Sequence, residues 1–352
     1  MMLKIVSPSE LASLVADLIA AKTRVIAPIQ VQDNAARTDY GPIRSLKDAS
    51  LCGPLPRRSL KEFFFPPSEV ILRFRQNKGD VEFEEIPNTI SPTVVLGARP
   101  CDAAGVEILD KVMGWDYRDE LWFSRREATT LVSLACPGID GSCFCSAVGL
   151  GPDSTKGSDV LLVPTEEGYL AEVVTPKGEV LLDGRGQVVS DGDSAEEFRK
   201  TAREKVGQNL PVVPAALAEW LAKNFSHDCW KSLALACHGC GACAFVCPTC
   251  HCFDLADDRE HYDQGVRRRN WDSCQTGKFT IHASGHNPRA TQEERFRQRV
   301  MHKFSIYPQR FDSLLCTGCG RCARVCPAGM NLPEILGQLI NLAEAEPQGS
   351  GQ

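Results

Sequence analysis

The sequence predicts an α/β N-terminal domain followed by a cysteine-rich region that is built on an internal repeat. Continuous apolar stretches alternate with helical ones up to about residue 150, which is typical of a sheet covered on both faces. Further along, one spacing of four cysteines occurs twice. The chain has 352 residues, which is enough for two or three domains with their own cores.

The N-terminal elements can be placed individually. Ser7 and Glu10 have the spacing of a capping box and Pro8 suits the first helical position, so a helix is predicted after Ser7. Apolar runs predict strands at 25–30, 70–74, 93–98 and 128–135, with a helix over 101–113. These elements define the predicted α/β domain, residues 1–150.

The remaining chain divides into three predicted segments. Residues 151–226 predict antiparallel β-hairpins, from runs such as 169–174 and 179–182, followed by two bridging helices in 193–206 and 212–225. Residues 227–345 hold the cysteine repeat, with an insert at about 253–312. Residues 346–352 predict a flexible tail.

Composition narrows the class of protein. The net charge of −6 gives no reason to expect nucleic acid or an acidic membrane as partner. The 17 cysteines lie in tight groups, which favours metal ligation in a reducing cytosol over a disulfide framework, so we expect a cytoplasmic protein. Glu10 and Asp17 interrupt the first apolar stretch, which therefore does not resemble a signal peptide, and no apolar run predicts a membrane span.

The repeated spacing is Cys-x2-Cys-x2-Cys-x3-Cys-Pro, the run by which bacterial ferredoxins bind [4Fe–4S] clusters. In two-cluster ferredoxins the fourth cysteine of each run ligates the other cluster. The sequence thus predicts a ferredoxin-like two-cluster domain with a long insertion. Its first cluster is assigned to Cys237, Cys240, Cys243 and Cys326, and its second to Cys316, Cys319, Cys322 and Cys247. Structural zinc is the alternative, but it does not account for two complete repeats that each end in Cys-Pro.

Four earlier cysteines form a further candidate site. Cys101 and Cys136 each follow a predicted strand, and parallel neighbouring strands would place both thiols at the carboxyl edge of the sheet. Gly138 and Gly141 allow the loop to bring Cys143 and Cys145 back to them. Spacing alone leaves three interpretations open: a third cluster, a mononuclear zinc and a set of buried apolar cysteines.

The order of several long motifs resembles one family. "GARPCDAAGVEILD", "CPGIDGSCFC", "CGACAFVCPTCHCFD", "RRRNWDSC", "SGHNPR", "RQRVMHKF" and "CTGCGRCARVCP" occur in sequence. They resemble the iron–sulfur β subunit of cytosolic sulfhydrogenases and the equivalent iron–sulfur subunit of anaerobic sulfite reductase. Similar subunits accompany heterodisulfide reductase. The resemblance extends from about residue 20 to residue 335 and implies a third [4Fe–4S] cluster at Cys101, Cys136, Cys143 and Cys145.

The resemblance also implies a function. The chain would relay electrons between a flavin-containing, NAD(P)H-oxidising partner and a terminal hydrogenase or reductase subunit, with three clusters and no catalytic residues of its own. The sequence shows no dinucleotide fingerprint, Walker loop or catalytic triad, so no motif indicates catalysis by this chain itself. The alternative is a catalytic subunit that binds flavin or deazaflavin in the N-terminal domain. A third possibility is a non-redox binding module in which clusters act as structural staples.

Some residues keep two interpretations. Cys52, Cys229, Cys250, Cys252 and Cys274 are expected to pack as small apolar side chains, while Cys250 and Cys252 are also candidates for alternate ligands or a docking loop. Arg267–Arg269, Arg295, Arg297, Arg299 and Lys303 predict either a solvated face with ion pairs, or a docking surface and donors that tune the clusters.

Overall fold

A computed structural model of the chain describes residues 2–31, 34–86, 89–206 and 210–346. Apart from Glu346, the predicted flexible tail lies outside the described residues. In this described part, no helix has the length and apolar character that a membrane span needs.

The described residues form twelve strands. They are β1 (Met2–Val6), β2 (Arg24–Val31), β3 (Asn34–Pro42), β4 (Ser68–Asn77), β5 (Asp80–Glu85), β6 (Thr93–Ala98), β7 (Thr129–Leu134), β8 (Val160–Pro164), β9 (Tyr169–Val173), β10 (Gln187–Val189), β11 (Phe253–Arg259) and β12 (Gln264–Trp271). They build one sheet of eight strands and one of four.

The same residues form thirteen α-helices and one π-helical turn, His302–Ile306. The α-helices are α1 (Pro8–Ala20), α2 (Lys61–Phe64), α3 (Pro100–Met113), α4 (Glu120–Glu127), α5 (Pro176–Leu181), α6 (Glu196–Lys205), α7 (Ala216–Lys223), α8 (Cys229–Ala234), α9 (Ala242–Phe245), α10 (Gln292–Met301), α11 (Tyr307–Phe311), α12 (Arg321–Arg324) and α13 (Leu332–Ala345).

The larger sheet has the order β10-β1-β9-β8-β7-β6-β2-β3. Its centre is parallel, since β2, β6, β7 and β8 pair in parallel, and its outer strands are antiparallel. Every residue of β6 is buried, as a strand covered on both faces requires. Strands β8, β9 and β10 come from the segment after residue 150, so that segment extends the sheet of the N-terminal segment.

Several predicted elements are present. Helix α1 begins after Ser7 with the capping box between Ser7 and Glu10, and α3 covers the predicted helix after β6. The run at 179–182 is different, because it lies at the end of the short helix α5 and not in a strand. Pro176 at the start of that helix pre-sets its first turn, a local signal that outweighs the β-type composition.

The four-stranded sheet, in the order β11-β12-β4-β5, joins distant parts of the chain. Strands β11 and β12 lie in the predicted insert, and β12 pairs antiparallel with β4 of the N-terminal segment. The side chain of Arg269 on β12 is buried in ion pairs with Glu69 and Asp119. The insert is therefore anchored to the N-terminal segment by backbone pairing and by buried charge.

The cysteine repeat lies against a helical core. Trp230, Phe304, Leu336 and Leu339 are almost fully buried in it, together with side chains of α7, α10 and α13. Cys237, Cys316 and Cys322 belong to this core or pack against it. Burial of this apolar area excludes water from the thiols.

Candidate iron–sulfur centre

The first run of cysteines curls around a cavity. Cys237, Cys240 and Cys243 line it, and so does Cys326 of the second run. The loop can turn this tightly because Gly239 and Gly241 have φ of +68° and +75°. The structure thus brings together the four thiols that the crossed assignment puts on one cluster.

The second run repeats the same backbone. Gly318 and Gly320 have φ of +62° and +69°, and α12 follows Gly320 as α9 follows Gly241. Cys316 and Cys247 are both buried. Burial raises the pKa of the Cys319 and Cys322 thiols, and proximity to Cys247 raises each pKa further. Cys247 therefore lies close to the thiols of the second run.

The four earlier cysteines also meet in one place. Cys101 lies in the first turn of helix α3, Cys136 follows strand β7, and both line a single cavity with Cys143 and Cys145. Strands β6 and β7 are parallel neighbours, so the carboxyl edge of the sheet positions the first two thiols as predicted. The loop through Gly138 supplies the other two.

The second thiol set contributes residues to the cavities of the other two sets. Cys319 of the second set lines the cavity of the third set, and Cys322 lines that of the first. The Phe144 N–H donates a hydrogen bond to the Gly318 carbonyl at 2.8 Å. A Cβ on Gly318 would lie 2.5 Å from the Cys145 Cα, so only glycine permits this approach. The second set therefore stands between the other two.

Buried cations accompany the thiols. Arg299 donates to the Cys250 Sγ at 3.5 Å and to the Cys243 carbonyl at 3.4 Å. Lys303 donates to the Cys247 Sγ at 3.4 Å and to the Leu315 carbonyl at 2.9 Å. Within the described residues, neither cation forms an ion pair with a carboxylate. Since an isolated buried charge is costly, negative charge at the thiol sets is the compensation available to them.

Arg99 occupies the corresponding place at the third set. It is fully buried; Nη2 donates to the Gly53 carbonyl at 2.7 Å, while Nε and Nη1 have no partner among the described residues. Burial raises the pKa of Cys136, and the charge of Arg99 lowers it again. Two unpartnered buried nitrogens near Cys136 fit an anionic cluster with sulfide acceptors.

A buried ion pair joins helix α3 of the N-terminal segment to the second run. The Arg321 guanidinium donates to both carboxylate oxygens of Asp102, at 2.8 and 2.7 Å, and the Tyr40 hydroxyl donates to the same carboxylate at 2.7 Å. At the surface, Arg324 pairs with Asp140 and donates to the Cys143 Sγ at 3.0 Å. These contacts fix the second and third thiol sets relative to each other.

The donor chemistry of all three sets fits [4Fe–4S] clusters. Each set offers four thiols, and a cubane spreads its thiolates over four irons around a volume of its own. Among the residues that the structure describes, no three Cys, His, Asp or Glu side chains converge closely enough to hold a single metal ion. The cavities of the first and third sets are lined by their thiols, which is the arrangement that a cubane requires.

Sequence reasoning found some of the functional residues and missed others. Arg299 and Lys303 belong to the basic residues that the sequence offers as donors to the clusters, and both lie beside thiols. Arg267 and Arg268 belong to the same group but form surface ion pairs with Asp257 and Asp258. Arg99 was not singled out, although it lies two residues before Cys101. Its position beside a predicted ligand was the available signal.

Comparison with known proteins places the chain in a class and then in a family. Residues 236–330 match the 4Fe-4S dicluster domain, so the chain is an iron–sulfur protein of the [4Fe–4S] type. Sulfhydrogenase 2 subunit beta of Pyrococcus furiosus is 30% identical over 321 residues, which cover 85% of this chain and 91% of that protein. The chain belongs to the sulfhydrogenase β-subunit family. No solved structure matches it.

Proposed function

We propose that this chain is an electron-transfer subunit that holds three [4Fe–4S] clusters in series. A bound [4Fe–4S] cluster supplies one-electron transfer. The observation that carries the proposal is the order of the thiol sets, because Cys319 and Cys322 place the second set in contact with the cavities of the other two. The first two sets would bind in the crossed, ferredoxin-like manner, and the third by Cys101, Cys136, Cys143 and Cys145.

The chain's own residues prepare these sites. Apolar burial keeps water from the second set, where Cys247 and Cys316 are each 8% exposed. Arg99, Arg299 and Lys303 offset the negative charge of thiolates and sulfides. The outer sets approach the surface, since Cys240 is exposed and Cys143 contacts Arg324, which pairs with Asp140 at the surface. Electrons would therefore enter at one end of the series and leave at the other.

The partners belong to the same proposal. A hydride donor such as NAD(P)H gives two electrons together, so a flavin on a neighbouring subunit must divide the pair. A terminal hydrogenase or reductase subunit would contact the other end. The relative is named as a subunit of a sulfhydrogenase, which supports assembly into a complex of this kind. A cytoplasmic location suits such a complex and its many reduced thiols.

A flavin or deazaflavin on this chain is the second candidate. A groove of about 630 Å³ beside the third set is lined by Arg37, Arg57, Arg321 and Arg324, and its size suits a cofactor. Three of these arginines are already paired with Asp39, Asp102 and Asp140, which leaves less charge for a phosphate. Flavin absorbance in the purified single subunit would favour this candidate; a flavin-free subunit favours the relay.

Iron analysis tests the third cluster. After anaerobic reconstitution we expect roughly twelve irons per chain, four for each cubane. Cys136→Ser should reduce the content to roughly eight, because it removes one ligand of the third set only. Cys229→Ser should keep the wild-type content, since Cys229 lies outside all three sets. A wild-type content of about eight, or no change in Cys136→Ser, would overturn the third cluster.

A further inference from the structure

Three cysteines outside the thiol sets lie next to the first cysteine run. Cys250 and Cys252 follow the first run, and Cys274 follows strand β12. All three are half-buried. Cys52 and Cys229, the other two cysteines outside the sets, lie elsewhere in the described structure. This group was expected to pack as small apolar side chains, but its surroundings are charged.

Backbone pairing brings Cys252 and Cys274 together. Cys252 directly precedes β11, and Phe253 pairs with Trp271 at the end of β12. The Asp272 N–H donates to the Cys252 carbonyl at 3.0 Å, so the two chains remain side by side beyond the ladder. At this end of the hairpin the Cys252 and Cys274 thiols lie close enough for each to change the pKa of the other. Cys250 lies beside the Cys247 sulfur, which raises the pKa of the Cys250 thiol.

Positive charge surrounds this group. Arg299 contacts Cys250, and the buried Lys61 donates to the Cys250 carbonyl at 2.9 Å. Proximity to Cys252 lowers the pKa of Cys274, and the charge of Arg299 lowers it further. Thiolate is the reactive form in thiol–disulfide exchange, and nearby cations favour it. Apolar packing does not explain why the buried Arg299 contacts the Cys250 sulfur.

We propose that Cys252 and Cys274 are a redox-active pair that closes to a disulfide by exchange with a small-molecule disulfide. The Cys274 thiolate attacks one sulfur of that disulfide, forms a mixed disulfide and releases the first thiolate. Cys252 then loses its proton and attacks the Cys274 sulfur, which releases the second. In sum, two S–H groups and one S–S bond become one S–S bond in the protein and two small thiols. An excess of small thiol reverses the reaction.

The neighbours of Cys274 contact the loop that carries the first thiol set. Ser273 and Gln275 flank Cys274 and are buried. A Cβ on Gly241 would lie 3.2 Å from the Ser273 side chain, and the Gln275 side chain accepts a hydrogen bond from Cys237 at 3.8 Å. A disulfide would therefore tie the end of the β11–β12 hairpin to the loop that carries the first run. The inference concerns thiols that the proposed relay does not use, so it stands independently of that function.

The test uses the full chain after anaerobic reconstitution. The protein is equilibrated in glutathione buffers of increasing oxidised fraction, quenched in acid, alkylated with N-ethylmaleimide and digested for mass spectrometry. We expect a Cys252–Cys274 linked peptide that rises with the oxidised fraction, disappears when reduced glutathione is restored, and forms without loss of iron. In Cys252→Ser the linked peptide should be absent and Cys274 should carry glutathione.

Matched variants separate the pair from other cysteines. Cys229→Ser should leave the linked peptide at the wild-type level, because Cys229 is also half-buried but lies on helix α8 and not at the hairpin. Full alkylation of Cys252 and Cys274 in the most oxidising buffer, with iron retained, would overturn the proposal. Loss of iron before the linked peptide forms would overturn it as well. So would a metal content that falls in both Cys252→Ser and Cys274→Ser, which would identify these thiols as ligands.

Discussion

At the scale of single residues, the buried charge of Arg299 lies beside the thiols of the first set. Burial lowers the pKa of Arg299, but Cys243 and Cys250 raise it, and the pKa lies well above its ordinary value. Arg299 therefore stays charged at the wall of the first cavity, with 5% exposure. A positive charge there stabilises the more negative, reduced form of a cluster.

We expect Arg299→Leu to lower the reduction potential of the cluster in the first set. A Coulomb energy of roughly 2 kcal/mol, for about 8 Å at an effective dielectric of about 20, corresponds to about 90 mV for one electron. Redox titration monitored by electron paramagnetic resonance measures the change. Arg299→Lys is the matched control and should retain most of the wild-type potential. Equal potentials in all three proteins would show that Arg299 has only a packing role.

At the scale of elements, the contact between two loops joins the second and third thiol sets. Gly320 has φ of +69°, and a Cβ there would lie 2.3 Å from the Ser142 carbonyl oxygen. Gly329 has nearly the same backbone, with φ of +67°, but nothing lies within 4 Å of its added Cβ. Both glycines therefore need a left-handed backbone, but only Gly320 is packed closely against another loop.

We expect Gly329→Ala to cost about 1 kcal/mol, from left-handed backbone strain alone. Gly320→Ala should cost at least about 2 kcal/mol more, because its Cβ meets backbone that must move. It should also displace Cys143 and Cys145 and lower the iron content by roughly four per chain. Thermal unfolding and iron analysis of the two variants give the comparison. Equal losses in both would mean that the loop contact does not support the third set.

At the scale of the whole molecule, the threading of the chain decides which thiols share a cluster. Cys326 lies on the wall of the cavity lined by Cys237, although 89 residues separate them in the numbering (326 minus 237). Cys247 lies close to the thiols of the other run. We therefore expect Cys326→Ala to damage the first cluster and to spare the second.

Reference variants make this threading testable by spectroscopy. The Mössbauer and electron paramagnetic resonance spectra of Cys326→Ala should resemble those of Cys237→Ala, with the same cluster lost. They should differ from those of Cys316→Ala, in which the second cluster is lost. A match to Cys316→Ala would replace the crossed assignment by one in which each run holds its own cluster.

The sequence by itself determined the local features. The capping box at Ser7, the buried strand β6, helix α3 and the two cysteine runs depend on residues close together in the chain, so periodicity and spacing were enough to predict them. The run at 179–182 was predicted wrongly because its composition favours a strand while Pro176 starts a helix. Such short segments carry competing local signals.

Only the tertiary structure decided the rest, because those features join residues that are distant in sequence. The pairing of β12 with β4 depends on backbone hydrogen bonds. Nearly every residue can form such bonds, so no sequence motif predicts which strands pair. The placement of Arg99, Arg299 and Lys303 beside thiols depends on which charges the fold removes from water. The same holds for Cys252 and Cys274, which meet only because β11 and β12 pair. Spacing identified the thiols, and the fold decided their neighbours.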